Sequence, residues 1–313
     1  MPEPDEAFRL ELARAFEAGR PPAVAPADAG LWIRAVEALI FKGRFDRAAH
    51  AIRALDQAQP ELEWARNMAG LFELMPPPDP DLPEFIDDAA GDVQVVARPG
   101  ARATVLCFCG GVHRLSMALS MMHRWMAALP ANIVYLRDFH GLHYLGGVRS
   151  LAADAAGSVA SLRSLVQDLG GERLLCFGVS TGGYGALRYG LDLQADAVMS
   201  IGGPVNLEPR FVVHLRHRRS GAKLRLRFPD EPLDLRLRHA AAPTPPRVTL
   251  VYGEHQWDDR LQAEQLAGAP GVRLRPVAGF ELHGVVPEIV RRGELSGLLQ
   301  DFLADGLAGP FSG

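Results

Sequence analysis

Three cysteines in 313 residues are too few, and of the wrong parity, for a disulfide framework. Cys107, Cys109 and Cys176 all sit in apolar, strand-like runs, which suits buried thiols in a reducing, cytoplasmic compartment. No apolar run approaches the ~18 residues that a membrane span needs. The first residues, MPEPDEAFRLELARAF, begin acidic and lack the basic-then-apolar order of a signal peptide. A net charge of −4 gives no general attraction to nucleic acid or to a membrane surface. Neither a P-loop nor a dinucleotide fingerprint is present, so no cofactor is expected. His140 and His143 are the one spacing that invites a metal, and no further ligand set accompanies them. What remains, with 48% hydrophobic and 22% charged residues, is an ordinary globular composition. The length allows one large core, or one core and a small second unit.

Two regimes follow one another along the chain. Residues 1–75 read as helices, without strand alternation. Within them, LWIRAVEALIFKGRFDRAAHAIRALDQAQP places Trp32, Gly43, Phe45, Ala48, Ile52 and Pro60 at a spacing that resembles one tetratricopeptide repeat. Gly43 turns the chain, Ala48 lets two helices approach, and Pro60 stops the second. A single such hairpin cannot bury both its faces, so it calls for the neighbouring domain or a protein partner. A proline-rich linker, 76–91, contains PPPDPDLPEF. From 92 to 313 short apolar runs (VQVVA, ATVLCFC, NIVYL, RLLCFGV, AVMSIGG, RVTLVYG, VRLRPVAG) alternate with helix-like segments. That alternation predicts a mostly parallel sheet with helices on both faces. The first two runs lie so close that an antiparallel edge hairpin is expected of them. In such sheets ligands gather at the carboxyl ends of the strands, where all the motifs below fall.

LLCFGVSTGGYGALRYG carries Gly-x-Ser-x-Gly between a strand and a helix, the context in which Ser180 becomes a nucleophile on a tight turn. Its hydroxyl needs a base, and the base needs an orienting acid. In this topology the order is serine, acid, histidine. His283, in PVAGFELHGVVPEIV after the last strand, stands where the base belongs. The acid comes from YGEHQWDDRLQAEQL, with Asp259 first, Asp258 close behind and Glu254 in reserve. Either aspartate also suits the cap of the following helix. An oxyanion hole would draw one amide from Thr181 and one from Gly111 or Val112, in GGVHRL after the second run. Arg137, Asp138, His140 and His143, after NIVYL, face the same side and are candidates to line the substrate pocket.

These residues together resemble the α/β-hydrolase superfamily from about Asp92 onward. NIVYLRDFHGLHYLGG, GVSTGGYGALRYGL, PLDLRLR, YGEHQWDDRLQAEQL and ELHGVVPEIVRRGEL are also similar to a bacterial group associated with surface-polysaccharide biosynthesis. That group would have a further histidine where Gln262 stands. The resemblance implies a serine-hydrolase site at Ser180 and His283, and an insertion at about 204–246 acting as a cap. Arg210, Arg216, Arg218, Arg219, Lys223, Arg225 and Arg227 make this insertion basic, suited to an anionic or carrier-bound acyl substrate or to plain solvation. Sparse aromatics within it count against single-stranded nucleic acid. The expected function is a serine esterase, thioesterase or acyltransferase. The alternative is a non-catalytic interaction protein on a degenerate hydrolase fold, favoured if no acid reaches His283.

Overall fold

The computed structural model describes residues 29–80, 82, 85–211 and 215–308, with the side chains of 215–220 excepted. The opening MPEPDEAFRLELARAF and the side chains of Arg216, Arg218 and Arg219 lie outside the described residues. The chain divides into two compact units, one running to Asp87 and including Ala118–Trp125, the other made of Asp88–Met117 and the chain from Met126 onward.

In the first unit, α1 (Ala29–Phe41), α2 (Phe45–Ala58) and α3 (Glu63–Leu74) pack in sequence. Gly43 adopts φ 69° in the turn between α1 and α2, a conformation that is costly with a side chain. Trp32, Val36 and Ile40 on α1 and Ala48, Ile52 and Leu55 on α2 are buried, at the three-to-four-residue spacing of helical inner faces. The chain returns to this unit as α4 (Leu119–Met126), where the Ser120 hydroxyl donates to the Ile40 carbonyl at 2.7 Å and His123 stacks on Phe85 with ring centroids 4.5 Å apart.

Among its described residues the second unit has seven strands: β1 (Val93–Val96), β2 (Ala103–Phe108), β3 (Ala131–Leu136), β4 (Arg173–Val179), β5 (Ala197–Ile201), β6 (Arg247–Gly253) and β7 (Val272–Val277). Their order across the sheet is β1-β3-β2-β4-β5-β6-β7, and every pairing except β1 with β3 is parallel. The expected edge hairpin is therefore corrected. β1 is antiparallel and at the edge, but its partner is β3, with Val93 opposite Leu136, and β2 lies one strand further in. Central strands of a parallel sheet are covered on both faces, so they read as unbroken apolar runs; every residue of β2, β3 and β5 is buried.

One face of the sheet (Leu106, Phe108, Val134, Cys176, Val198, Leu250) packs with α5 (Ala155–Asp168), α6 (Thr181–Leu193) and α9 (Trp257–Glu264). The other face meets α11 (Leu295–Leu307), where Phe302 lies against Phe177 and Gly306 against Leu175. Between β5 and β6 run α7 (Leu215–Arg227) and α8 (Leu235–Ala241), and α10 (Val285–Arg291) follows β7. A mostly parallel, doubly covered sheet with a strand-turn-helix at β4–α6 is the α/β-hydrolase arrangement. Among the described residues no helix is long and apolar enough to cross a membrane.

Candidate active site

Ser180 joins β4 to α6 with φ 54° and ψ −123°, in a region that non-glycine residues avoid. Its surroundings impose the strain. The Ser180 amide donates to the carbonyl of Ile201 at the end of β5, and its carbonyl accepts from Gly183, both at 2.8 Å. The flanking glycines make the turn sterically possible. A Cβ on Gly178 would come within 2.1 Å of the Gly182 carbonyl, and one on Gly182 within 2.0 Å of the Phe108 carbonyl. The strained turn projects the hydroxyl away from the sheet at the amino end of α6.

The Ser180 hydroxyl donates to His283 Nε2 at 2.8 Å. On the far side of the ring, Nδ1 lies 2.9 and 2.8 Å from the two oxygens of Asp259. An ionised carboxylate only accepts, so the ring proton resides on Nδ1 and the Nε2 lone pair faces the serine. Asp259 is only 7% exposed, whereas the His283 side chain is 44% exposed. The acid is thus shielded and the imidazole reachable.

Asp259 is available for this because another side chain caps its helix. Gln256 is the N-cap of α9, and its Oε1 accepts from the Asp259 amide at 2.7 Å. Asp258 lies one residue earlier on the same turn. Glu254, held in reserve as the acid, accepts instead from the Gly279 amide at 2.7 Å. Together with His255 N donating to Phe280 O at 2.9 Å and Glu254 N to Val277 O at 3.1 Å, that bond laces the loop after β6 to the loop after β7. These two loops carry the acid and the imidazole.

Gly110 and Gly111 lie against the turn. A Cβ on Gly110 would be 3.5 Å from Ser180 Cβ, and one on Gly111 would be 3.6 Å from Thr181 Oγ1. Among the described residues the amides of Gly111 and Thr181 donate to no protein acceptor, whereas Gly110 N is committed to Arg114 O at 2.8 Å. Val112 is 74% exposed.

The segment after β3 carries Arg137, Asp138, His140 and His143. Arg137 is 1% exposed, and its guanidinium donates to the carbonyls of His113, Asp88 and Gly91. The Asp138 carboxylate accepts from the amides of His140, Leu142 and Tyr144 at 3.0, 2.7 and 2.9 Å. Both charges are thus met by backbone, and both side chains hold this loop. The same loop holds two adjacent non-glycine residues, His143 and Tyr144, at φ 55° and 61°. Buried His143 packs edge-on to Tyr184 at 6.1 Å, while His140 is exposed. The Tyr144 hydroxyl lies 2.9 Å from the Cys109 carbonyl and 2.8 Å from that of Leu136. That loop braces the strand end that leads into Gly110, a role no sequence signal separates from ligand binding.

In the insertion, Arg225 is tied to Glu208 and to the carbonyls of Phe228, Pro229 and Glu231. Lys223 and Arg227 are exposed, and Arg227 sits over the Phe228 ring. Gln262, where the resemblance leads to a histidine, accepts at Oε1 from the amides of Val205 and Asn206, both at 2.9 Å. Among the described residues no group of three or more His, Cys, Asp or Glu side chains could hold a metal ion.

No protein-family model matches the chain, and no curated protein matches it in sequence. Among solved structures it is similar to an S-formylglutathione hydrolase from Agrobacterium tumefaciens, with 16% identity over 68% of this chain and 89% of that one, at a TM-score of 0.48. It is also similar to the capsule O-acetyltransferase of Neisseria meningitidis serogroup A, with 13% identity over 72% of this chain and 96% of that one, at 0.47. A third similarity is to a carboxylesterase of Nitrososphaera gargenis, with 16% identity over 69% and 94% of the two chains, at 0.43.

Proposed function

We propose that this chain is a serine hydrolase or acyltransferase that acts on an ester or thioester through an acyl-enzyme at Ser180. The observation that carries the reading is the unbroken series Ser180 Oγ–His283 Nε2 and His283 Nδ1–Asp259, each link within 2.9 Å. Ser180 Oγ attacks the acyl carbonyl carbon while its proton passes to His283 Nε2. The carbonyl electron pair moves to oxygen, and the amides of Thr181 and Gly111 receive the developing charge. Collapse of the tetrahedral species expels the alkoxide or thiolate, which takes the proton from His283. Asp259 keeps the imidazole in the tautomer that accepts at Nε2 and offsets its transient positive charge. A second nucleophile then repeats the steps in reverse. Water yields the free acid; a sugar or carrier hydroxyl or thiol yields transfer.

The test is intact mass after treatment with a fluorophosphonate, for the wild type, Ser180→Ala and His283→Ala. One adduct on the wild type, lost in both variants, supports an activated serine. A folded wild type that takes no adduct counts against the catalytic reading and returns weight to the interaction-protein alternative. Product analysis of acyl thioesters and acylated sugars, with and without an acceptor, then separates hydrolysis from transfer.

A further inference from the structure

We infer that Gln262 is a positioning residue for Asp259, holding the acid's helix against the loop that leaves β5. Asp259 and Gln262 are three residues apart on α9, so they share one helix face. Both meet the segment 202–206. At its start, Gly202 has φ 59° and its amide donates to Val251 O at 2.8 Å; a Cβ there would lie 3.1 Å from Asp259 Oδ2 and 3.4 Å from His283 Cε1. At its end, Gln262 Oε1 accepts from the Val205 and Asn206 amides, and Gln262 Nε2 donates to Asn206 O at 3.0 Å. Gln265 adds a fourth tie, with its Oε1 accepting from Asn206 Nδ2 at 3.2 Å.

The primary amide suits this task. One oxygen takes two amides while the attached NH₂ returns a bond to a carbonyl, which an imidazole, with one acceptor and one donor, does not reproduce. The clasp also reaches the insertion. Leu207 N donates to Leu233 O, and Leu235 N to Val205 O, both at 3.0 Å, while Asn206 bridges Asp234. The first residues of the insertion are thus joined to residues 233–235 within it, at the segment that Gln262 grips. Acid, helix and insertion base form one hydrogen-bonded piece.

This inference rests on the reading of Asp259 as the orienting acid, and the experiment keeps the two apart. The low-field proton resonance of His283 Nδ1, bonded to Asp259, is followed by NMR in the wild type, Gln262→Met and Gln262→Glu, with fluorophosphonate rates on the same samples. Gln262→Met removes the three bonds to 205–206 and the one that Gln262 Oε1 accepts from Gln265 Nε2 at 3.2 Å, and the His283 Nδ1 proton exchanges with water about tenfold faster, with a similar fall in labelling rate. Gln262→Glu keeps both acceptor bonds and restores most of each. Leu303→Ala, in α11, serves as a control that lowers Tm and leaves the resonance unchanged. Should Gln262→Met not fold, Gln262→Asn, too short for both amides, shows the same loss in milder form. Wild-type exchange in the Met or Asn variant overturns the inference, as does a wild type that lacks the resonance. A wild type with the resonance but no phosphonate adduct refutes the hydrolase chemistry and leaves the clasp standing.

Discussion

At the scale of the residue, the main tension lies at Ser180, whose backbone would suit glycine far better than serine. Ser180→Gly is expected to raise stability by about 1 kcal/mol, because relief of the strained φ,ψ outweighs the added freedom of the unfolded chain. The same variant takes no phosphonate; a lower midpoint in urea would show that the turn is unstrained. Asp259→Asn leaves the fold intact but permits the wrong imidazole tautomer, and labelling should slow by about 10³–10⁴-fold. Asp258→Asn should stay within about threefold of the wild type, and an equal loss in both would reassign the acid. Ser180 is readable in sequence because the turn that exposes it demands glycines on either side. His283 is readable because chain order restricts where it stands. Choosing between Asp258 and Asp259 is harder, since they differ by one step of helix register. The cap that leaves the Asp259 carboxylate to His283 is a glutamine, a residue type with no strong claim to that position. Arg137 and Asp138 are harder to read for another reason: a charge buried on backbone carbonyls or amides has the same letter as one offered to a ligand.

At the scale of the element, α6 carries two separate constraints. Its amino end packs on β2 so closely that Gly182→Ala would push a methyl against the carbonyls of Phe108 and Cys109, at 2.0 and 2.5 Å. A loss of about 3 kcal/mol is expected, read as a shifted denaturation midpoint; an unchanged midpoint would mean that β2 and α6 can separate freely. Towards its carboxyl end, α6 is bound to α8 and to the segment before it. Buried Arg188 meets Glu231 at 2.7 Å, and Arg238 pairs with Asp192. Among the described residues Glu231→Gln leaves Arg188 with the Asp192 carboxylate alone, 3.9 Å away, and should cost about 2 kcal/mol, moderated by the partial exposure of Glu231. Elements of this unit are legible from their apolar runs, because a doubly covered sheet leaves few polar positions. The partner of β1 is not. Proximity in sequence favours β2, and nothing in a four-residue strand indicates that the chain instead places β3 between them.

At the scale of the molecule, stability should respond to acid through His123. Burial, with the charge of Arg124 adding to it, lowers this imidazole from 6.5 to about 4. The unfolded chain therefore binds the extra proton first. Stability is level above pH 6.5, declines as the pH falls towards about 4, and loses at most about 3 kcal/mol over that window. Urea midpoints at pH 7 and 4.5 for the wild type and His123→Leu measure it, and parallel losses in both would assign acid sensitivity elsewhere. Thiols give a second global report. Burial raises Cys107 and Cys176 above their ordinary range, with the neighbouring thiols adding at Cys107. Iodoacetamide should reach them only as the sheet opens, so alkylation at either in the folded protein would reveal local opening around β2 or β4.

Among the described residues the sheet ends at β7, and that edge bears on how the protein behaves at high concentration. A parallel sheet with a free outer strand offers unpaired amides to any other strand that drifts alongside. Here Pro276 removes one such donor, and Arg273 and Arg275, paired with Asp305 and Asp301 of α11, set alternating charge along the rim. A strand approaching edge-on would have to desolvate those charges and forgo a hydrogen bond. Replacing Arg273, Arg275 and Pro276 together by valine should leave the monomer's fold in place and turn a clear concentrated solution cloudy.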